Sequence, residues 1–370
     1  MTITPPTPAA SSADATAPLP PIPLFPAEWV HHDATLLAWP HNPDNWPGHR
    51  LDKVEAVYRN LLRELTVTDK VVLLAGLPDS PAWHRAMAGI KDSGADPGRI
   101  LALPIATDDV WARDFGPITI FQNGDPAQPL LLDWSFNSWG GKYPPFDRDN
   151  SVPAQLAERF GLPRLPIDMV LEGGAIDTDG SGTLLTTEAV QLNPNRNPSF
   201  GRERIEANFE AFLGIRHVVW LGDGLEGDDT DGHVDDLTRF VAPGTVVTAL
   251  TDNPRDVNYA ALKENHERLL SARCADGTPL RVHTLPMPDT RSDTPARDGS
   301  EDLPASYANF YFSNGRLLVP LYDPATDGLA MEILQDLCPD HEVVGIPCRD
   351  LVWGQGSIHC VTHQLHGVGW

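Results

Sequence analysis

Apolar positions along this chain follow two spacings. Short, nearly unbroken apolar runs occur at Lys70–Gly76, Leu130–Asp133, Val218–Leu221, Thr245–Leu250 and Arg316–Pro320. Runs of this length, too short for a helical stripe and rich in Val and Leu, predict buried strands. Longer stretches at Asp52–Leu65, Arg202–Leu213, Asn258–Ser271 and Ala325–Leu337 place apolar residues three and four apart, which predicts amphipathic helices. Strands interleaved with helices point to an α/β or α+β class. Two segments follow neither spacing. Residues 1–25, dominated by Pro, Ala, Ser and Thr, read as a disordered arm outside the fold. Pro286–Pro304 is polar and rich in Pro, and reads as a long surface loop.

Composition narrows the classes of partner. Fifty-one acidic against 27 basic side chains give a formal charge of −24 over 370 residues. That balance argues against nucleic acid and anionic membrane, which require a basic footprint. It suits a cationic ligand, although most of the excess reads as solvated surface. Four cysteines (Cys274, Cys338, Cys348 and Cys360) are too few for a disulfide framework in a chain of this length. There is no apolar run of about 18 residues and no secretory signal pattern. The expectation is a soluble, intracellular, cytoplasmic protein.

The chemically loaded residues recur along the chain: Trp111–Asp114, Glu172, His233–Asp235, Asn309 and Cys360, at gaps of 58, 61, 76 and 51 residues. The longest gap contains the irregular loop. This regularity suggests a ring of similar strand–helix units delivering polar residues to a shared centre. Two unlike domains flanking a cleft would also fit the spacing.

Cys360 follows two glycines in Gly354–Cys360 (GQGSIHC), a turn that lets the backbone approach a ligand and presents the thiol as a candidate nucleophile. His233 is the candidate acid/base, set among Asp228, Asp229, Asp231, Asp235 and Asp236; carboxylates there favour imidazolium. Were Gly232 to open a strand, His233 and Asp235 would share one face. In Thr107–Pro117 (TDDVWARDFGP), Asp109, Trp111 and Asp114 offer an aromatic face and carboxylates, which a planar cation needs. A strand there would send Trp111 and Asp114 to opposite faces, and only a break near Gly116 would bring both onto a single ligand. Glu172 ends an apolar run before Gly-Gly, a strand-end carboxylate. Cys360, His363 and His366 have a metal-like spacing, but a second half of the ligand set is missing. Phosphate-loop patterns do not occur. Cys–His–Asn alone would also fit an acyl hydrolase, but surrounding acids oppose an oxyanion.

With these residues assembled, the sequence resembles the agmatine deiminase family, close to the bacterial peptidylarginine deiminases. The likeness runs from about Trp29 to Gln364 through EWVHHDATLLAWP, PDNW, WARDFGP, WSFNSWGGKYPPFDRD, LEGGAIDTDGSGTLLTTE, NPNRNP, WLGDGLEGDDTDGHVDD, ASYANFY and GQGSIHC. It implies one domain, residues 26–370, folded as a five-bladed α/β propeller. It implies Cys360 as nucleophile, His233 as acid/base with Glu172 beside it, and Asp114 and Asp235 as grips on a guanidinium. Trp111 would pack on the guanidinium plane, Asn309 would be a polar residue of the centre, and Asp109 would join the substrate-binding set. The implied substrate is a cationic guanidine, agmatine first, with no metal or organic cofactor; a homodimer is compatible. Four positions depart from the family pattern: Gln355 and Ser357 in its G-G-G-N-I-H-C, His41 where an acid follows A-W-P, and Asp177 where a His follows E-G-G-x-I. Arg113, Arg148 and Arg196 are available to a substrate carboxylate, without forming a clustered pair in sequence. Alternatives are deimination of free or peptidyl arginine or an alkylguanidine, amidino transfer, and cation binding without turnover.

Overall fold

In the computed structural model, residues 23–370 are described, except 290 and 293. Residues 1–22 of the expected arm lie outside the described residues. The five apolar runs are strands, at Val71–Leu74, Pro129–Ser135, His217–Leu221, Thr245–Leu250 and Arg316–Leu321. The four amphipathic stretches are helices, at Arg50–Thr68, Arg202–Leu213, Tyr259–Ser271 and Asp327–Leu337. The first buries Val54, Tyr58, Leu61, Leu62 and Leu65 along one face, as its three- and four-residue spacing requires. The architecture is mixed α/β.

Among the described residues the strands form five separate small sheets. Each sheet has an inner strand with an antiparallel neighbour on one side and a parallel neighbour on the other. The inner strands are Ala34–Ala38, Pro129–Ser135, Thr183–Thr187, Thr245–Leu250 and Arg316–Leu321. A parallel neighbour requires a crossover, and in every sheet a helix makes it. Arg50–Thr68 leads from Ala34–Ala38 to Val71–Leu74, and Asp327–Leu337 leads from Arg316–Leu321 to Glu342–Pro347. The sheet around Ala34–Ala38 joins the two ends of the chain, because His363–Leu365 pairs antiparallel with it.

Two boundaries differ from expectation. Pro23 and Leu24, placed in the arm, pair antiparallel with Gln122 and Phe121; two residues on a sheet edge are too few to show a period. The segment Pro286–Pro304 is not simply a surface loop. Ala296 and Leu303 are buried, and the Trp353 indole donates to the Pro295 carbonyl. These anchors are isolated in polar sequence, so no pattern announces them.

The spacing of the polar clusters has a structural cause. Every cluster lies in the connection from the last strand of one sheet to the first strand of the next. Trp111–Asp114 precedes Ile118–Gln122, Glu172 precedes Asp177–Thr178, and His233–Asp235 precedes Thr238–Ala242. Asn309 precedes Tyr311–Ser313, and Cys360 precedes His363–Leu365. Five equivalent connections thus converge.

Candidate active site

Two of these connections are not strands, as expected, but single helical turns. Ala112–Phe115 is one turn of helix with Trp111 at its start. Positions three apart on a helix face the same way, so Trp111 and Asp114 line one cavity instead of pointing apart. Val234–Asp236 is a turn of 3-10 helix following His233. His233 and Asp235 therefore meet through a tight turn and not through strand alternation. Turns this short lie below the length at which any period is readable.

The cavity containing Cys360 is lined by Trp111, Asp114, Trp139, Asp229, Thr230 and Arg297, with Gly354 and Gln355. The glycine at 356 is needed for close approach: a Cβ there would stand 2.5 Å from the Trp111 ring and 3.0 Å from the Cys360 Cβ. Three polar groups crowd a single point behind Gly174. A methyl on that glycine would lie 2.7 Å from His233 Nδ1, 2.9 Å from Asp114 Oδ1 and 3.0 Å from Asp235 Oδ2.

Each side chain is held by others. The Trp139 indole donates to Asp114 Oδ2 at 2.9 Å, and the Gly174 amide donates to Asp114 Oδ1 at 3.0 Å. Asn309 Nδ2 reaches both Asp236 Oδ1, at 2.9 Å, and Cys360 Sγ, at 3.1 Å. Its carbonyl oxygen accepts from the His359 amide at 2.9 Å, which fixes the turn before the thiol. Glu172 does not line the cavity. It is buried against Arg196, whose Nε donates to Oε1 at 2.6 Å, and acts on His233 through its charge. The His233 ring nitrogens are buried without a hydrogen-bond partner among the described residues; Nδ1 stands 3.7 Å from Asp114 Oδ1.

Electrostatics divides the carboxylates. Burial pushes Asp114 up to about 6, with Asp235 and Glu172 adding repulsion and His233 opposing it. Burial also works against a charge on Asp235, yet the hydrogen bond and charge of His359, with His233 and Arg239, hold it below the usual range. Asp236 is driven well above its usual value by burial and by Asp235 and Asp228. For His233 burial disfavours the cation, but Asp114, Asp235, Glu172 and Asp228 outweigh it and raise the group. Burial, followed by Asp235, Asp236 and Asp114, raises the Cys360 thiol well above its ordinary value. The acids that favour a cation on His233 therefore oppose an anion on Cys360.

Asp109 is not in this cavity. It lines an adjoining outer cavity with Asn42, Asn45, Tyr143 and Asp149, and the two cavities share Trp139 and Arg297 as walls. Asp109 Oδ2 accepts from Arg297 Nη1 at 2.6 Å, so it anchors the guanidinium that walls both cavities. The arginines considered for a substrate carboxylate are otherwise engaged. Arg113 binds Glu28 and Gln364, Arg196 binds Glu172 and Asp231, and Arg148 is near Asp108. Cys360, His363 and His366 do not assemble: His363 Nε2 bonds to the Pro117 carbonyl oxygen, and His366 lies edge-on to Phe121.

Sequence reasoning gave no role to Trp139, Arg297, Glu28 or His359. Trp139 sits in the quoted WSFNSWGG, where Ser138 and Trp139 both adopt positive φ, 55° and 54°. A left-handed conformation at a bulky residue is uncommon, and the adjoining Gly-Gly was its only trace in sequence.

Residues 24–365 match the family model for Porphyromonas-type peptidyl-arginine deiminase. The chain belongs to that family. A Shewanella sp. (strain MR-7) protein named "Putative agmatine deiminase" is 35% identical over 357 residues, covering 92% of this chain and 93% of the relative. The solved agmatine deiminase of Enterococcus faecalis is 31% identical, with TM-score 0.84 over 93% of this chain and 95% of the other. A cysteine-to-serine variant of C. jejuni agmatine deiminase, solved with substrate bound, is 28% identical, with TM-score 0.82 over 93% and 96%. Family membership makes this chain a hydrolase of guanidino carbon–nitrogen bonds. Among the described residues no helix is long and apolar enough to cross a membrane.

Proposed function

We propose that this chain is an agmatine deiminase, converting agmatine and water to N-carbamoylputrescine and ammonia, on a five-bladed ring of the five sheets. The observation that carries the reading is the convergence of Asp114, Asp235 and His233 on one buried point, with Cys360 Sγ 3.7 Å from Asp235 Oδ2.

Guanidinium is resonance-stabilised and a poor electrophile, so the site must gather its charge on the central carbon. Asp114 and Asp235 supply the anions, and the Trp111 face supplies a flat apolar wall. The arriving cation cancels the repulsion that keeps Cys360 protonated, and the thiol releases its proton to solvent water. The thiolate adds to the guanidinium carbon, forming a carbon–sulfur bond and a neutral tetrahedral adduct. His233, as imidazolium, donates its proton to the departing nitrogen; that carbon–nitrogen bond breaks and ammonia leaves. A cationic thiouronium remains on Cys360. Neutral His233 then takes a proton from water as its oxygen attacks the same carbon. Collapse expels the sulfur, which takes the hydroxyl proton to restore the Cys360 thiol, and leaves the neutral ureido product. No step calls for a metal or organic cofactor.

One observation favours a second reading, deimination of another guanidine. Arg297 lines the cavity, and His41, where the sequence resemblance implies an acid, bonds instead to the Trp39 carbonyl oxygen beside Asn42 of the adjoining cavity. A colorimetric ureido assay across agmatine, arginine, arginyl peptides and alkylguanidines tests both. Highest kcat/KM on agmatine, abolished in Cys360→Ala, is expected. Full activity in that variant overturns the mechanism, and preference for another guanidine selects the second reading.

A further inference from the structure

Behind the cavity lies a buried charged cluster that the reaction above does not use. His359, immediately before the nucleophile, is 1% exposed. Its Nδ1 stands 2.6 Å from Asp235 Oδ2, and its Nε2 stands 2.7 Å from Glu28 Oε2. A carboxylate only accepts, and a neutral imidazole has only one N–H to donate. Two carboxylate partners are both satisfied only when both ring nitrogens carry protons.

The surroundings agree. Glu28 is a hub that also takes Arg113 Nη2 at 3.1 Å, Arg239 Nη2 at 3.0 Å and the Phe312 amide at 2.9 Å. Arg239 Nε stands 3.2 Å from Asp177 Oδ1. Arg113 Nε donates to the His359 carbonyl. The buried groups facing one another here are thus three acids, Glu28, Asp177 and Asp235, and two guanidinium groups. One more positive charge closes the cluster, and uncompensated buried charge is costly. On its far side Asp235 faces His233, Asp228, Asp236, Asp114 and Cys360, and His363 adjoins His359. Asp235 Oδ1 is buried without a hydrogen-bond partner among the described residues. Asp114, by contrast, has only neutral donors behind it, the Trp139 indole and the Gly174 amide.

We propose that His359 is a positioning residue, a buried imidazolium whose charge keeps Asp235 ionised and leaves its Oδ1 free for the substrate cation. The two grips on the guanidinium are then unlike: Asp235 is a permanent anion, while Asp114 titrates. The inference rests on the deiminase reading for its kinetic consequence only.

The test has two arms. In the first, His359→Gln replaces the cation by a neutral amide, and kcat/KM is measured against pH. Asp235 without its counter-charge, buried beside other acids, ionises after Asp114 instead of before it, so the acid limb moves up by about one pH unit and steepens towards two protons, a loss of about tenfold below the limb with recovery above it. A uniform loss at every pH with the limb unmoved overturns the proposal. The second arm needs neither turnover nor a folded His359 variant. Protein labelled with 15N-histidine, in a His233→Gln background, should show one ring with two slowly exchanging N–H protons near neutral pH. A single N–H on every buried ring overturns the proposal. Absence of ureido product from every guanidine with the wild-type chain would sink the deiminase reading, while this second arm still decides His359.

Discussion

Asn309 Nδ2 lies 3.1 Å from Cys360 Sγ while also donating to Asp236 Oδ1 at 2.9 Å. One amide thus bridges a thiol and an acid that would otherwise repel a forming thiolate. Of the groups near the sulfur, Asp235, Asp236 and Asp114 all disfavour its charge, so a donor aimed at it carries unusual weight. Asn309→Ala removes that donor, and a hydrogen bond to a charged group contributes about 1.5–3 kcal/mol. The expected result is a fall in kcat of about 10- to 100-fold, with a smaller change in KM. Unchanged kcat in steady-state assays would show that the contact does not act on the thiolate.

The raised carboxyls set the pH response. Asp114 is lifted to about 6 and Asp229 to about 7, both above their unfolded values. A group raised by folding binds its proton more tightly in the native state. Its stabilising contribution is therefore full at low pH and is lost as pH rises through the folded value. A guanidinium ligand reverses this, because it binds the ionised form. In Cys360→Ala, the thermal shift produced by agmatine should be larger at about pH 8 than at about pH 5. For the active chain, kcat/KM should rise through about 6 as Asp114 ionises. A thermal shift equal at both pH values would remove Asp114 from the binding set.

The site was legible in sequence to the extent that its residues sit in equivalent connections. Five clusters at near-regular gaps reflected five repeats of one passage between sheets, and Pro286–Pro304 stretched one of them. What the sequence could not show were partnerships across distance. Arg297 meets Asp109 across 188 positions, and His359 meets Glu28 across 331. No local pattern encodes either pair. Local geometry is hidden where turns are short: the three residues Val234–Asp236 carry no period, and His233 and Asp235 meet through a 3-10 turn instead of strand alternation. Asp109 was grouped with Trp111 and Asp114 by proximity in sequence, yet the turn that begins after it sends it to the outer cavity.

Arg196 and Glu172 form a pair in which both side chains are 1% exposed. Arg196 also reaches Asp231 and the Thr230 carbonyl oxygen, which tethers the segment leading to His233. Breaking a buried pair leaves an uncompensated charge and costs about 3–5 kcal/mol. Arg196→Met should lower the unfolding free energy by that amount in denaturant titrations, and Arg196→Met with Glu172→Gln should recover part of it. A double variant no more stable than the single one would show that packing, not charge, dominates here.

Gly174 offers the sharpest separation of activity from folding. Its φ is not among the positive values that favour glycine, so alanine is compatible with the backbone. The obstacle lies in front of it: a methyl would press on His233 Nδ1, Asp114 Oδ1 and Asp235 Oδ2, each at 3.0 Å or less. These atoms cannot all retreat, since Asp114 is held by Trp139 and Asp235 by His359. Displacements of this size at a reacting centre cost about 100-fold in rate. Gly174→Ala should therefore lose at least about that factor in kcat/KM. Its circular dichroism spectrum should match the wild type, and its melting temperature should stay within a few degrees. Near-normal turnover in a folded variant would mean that the three groups do not converge on the substrate.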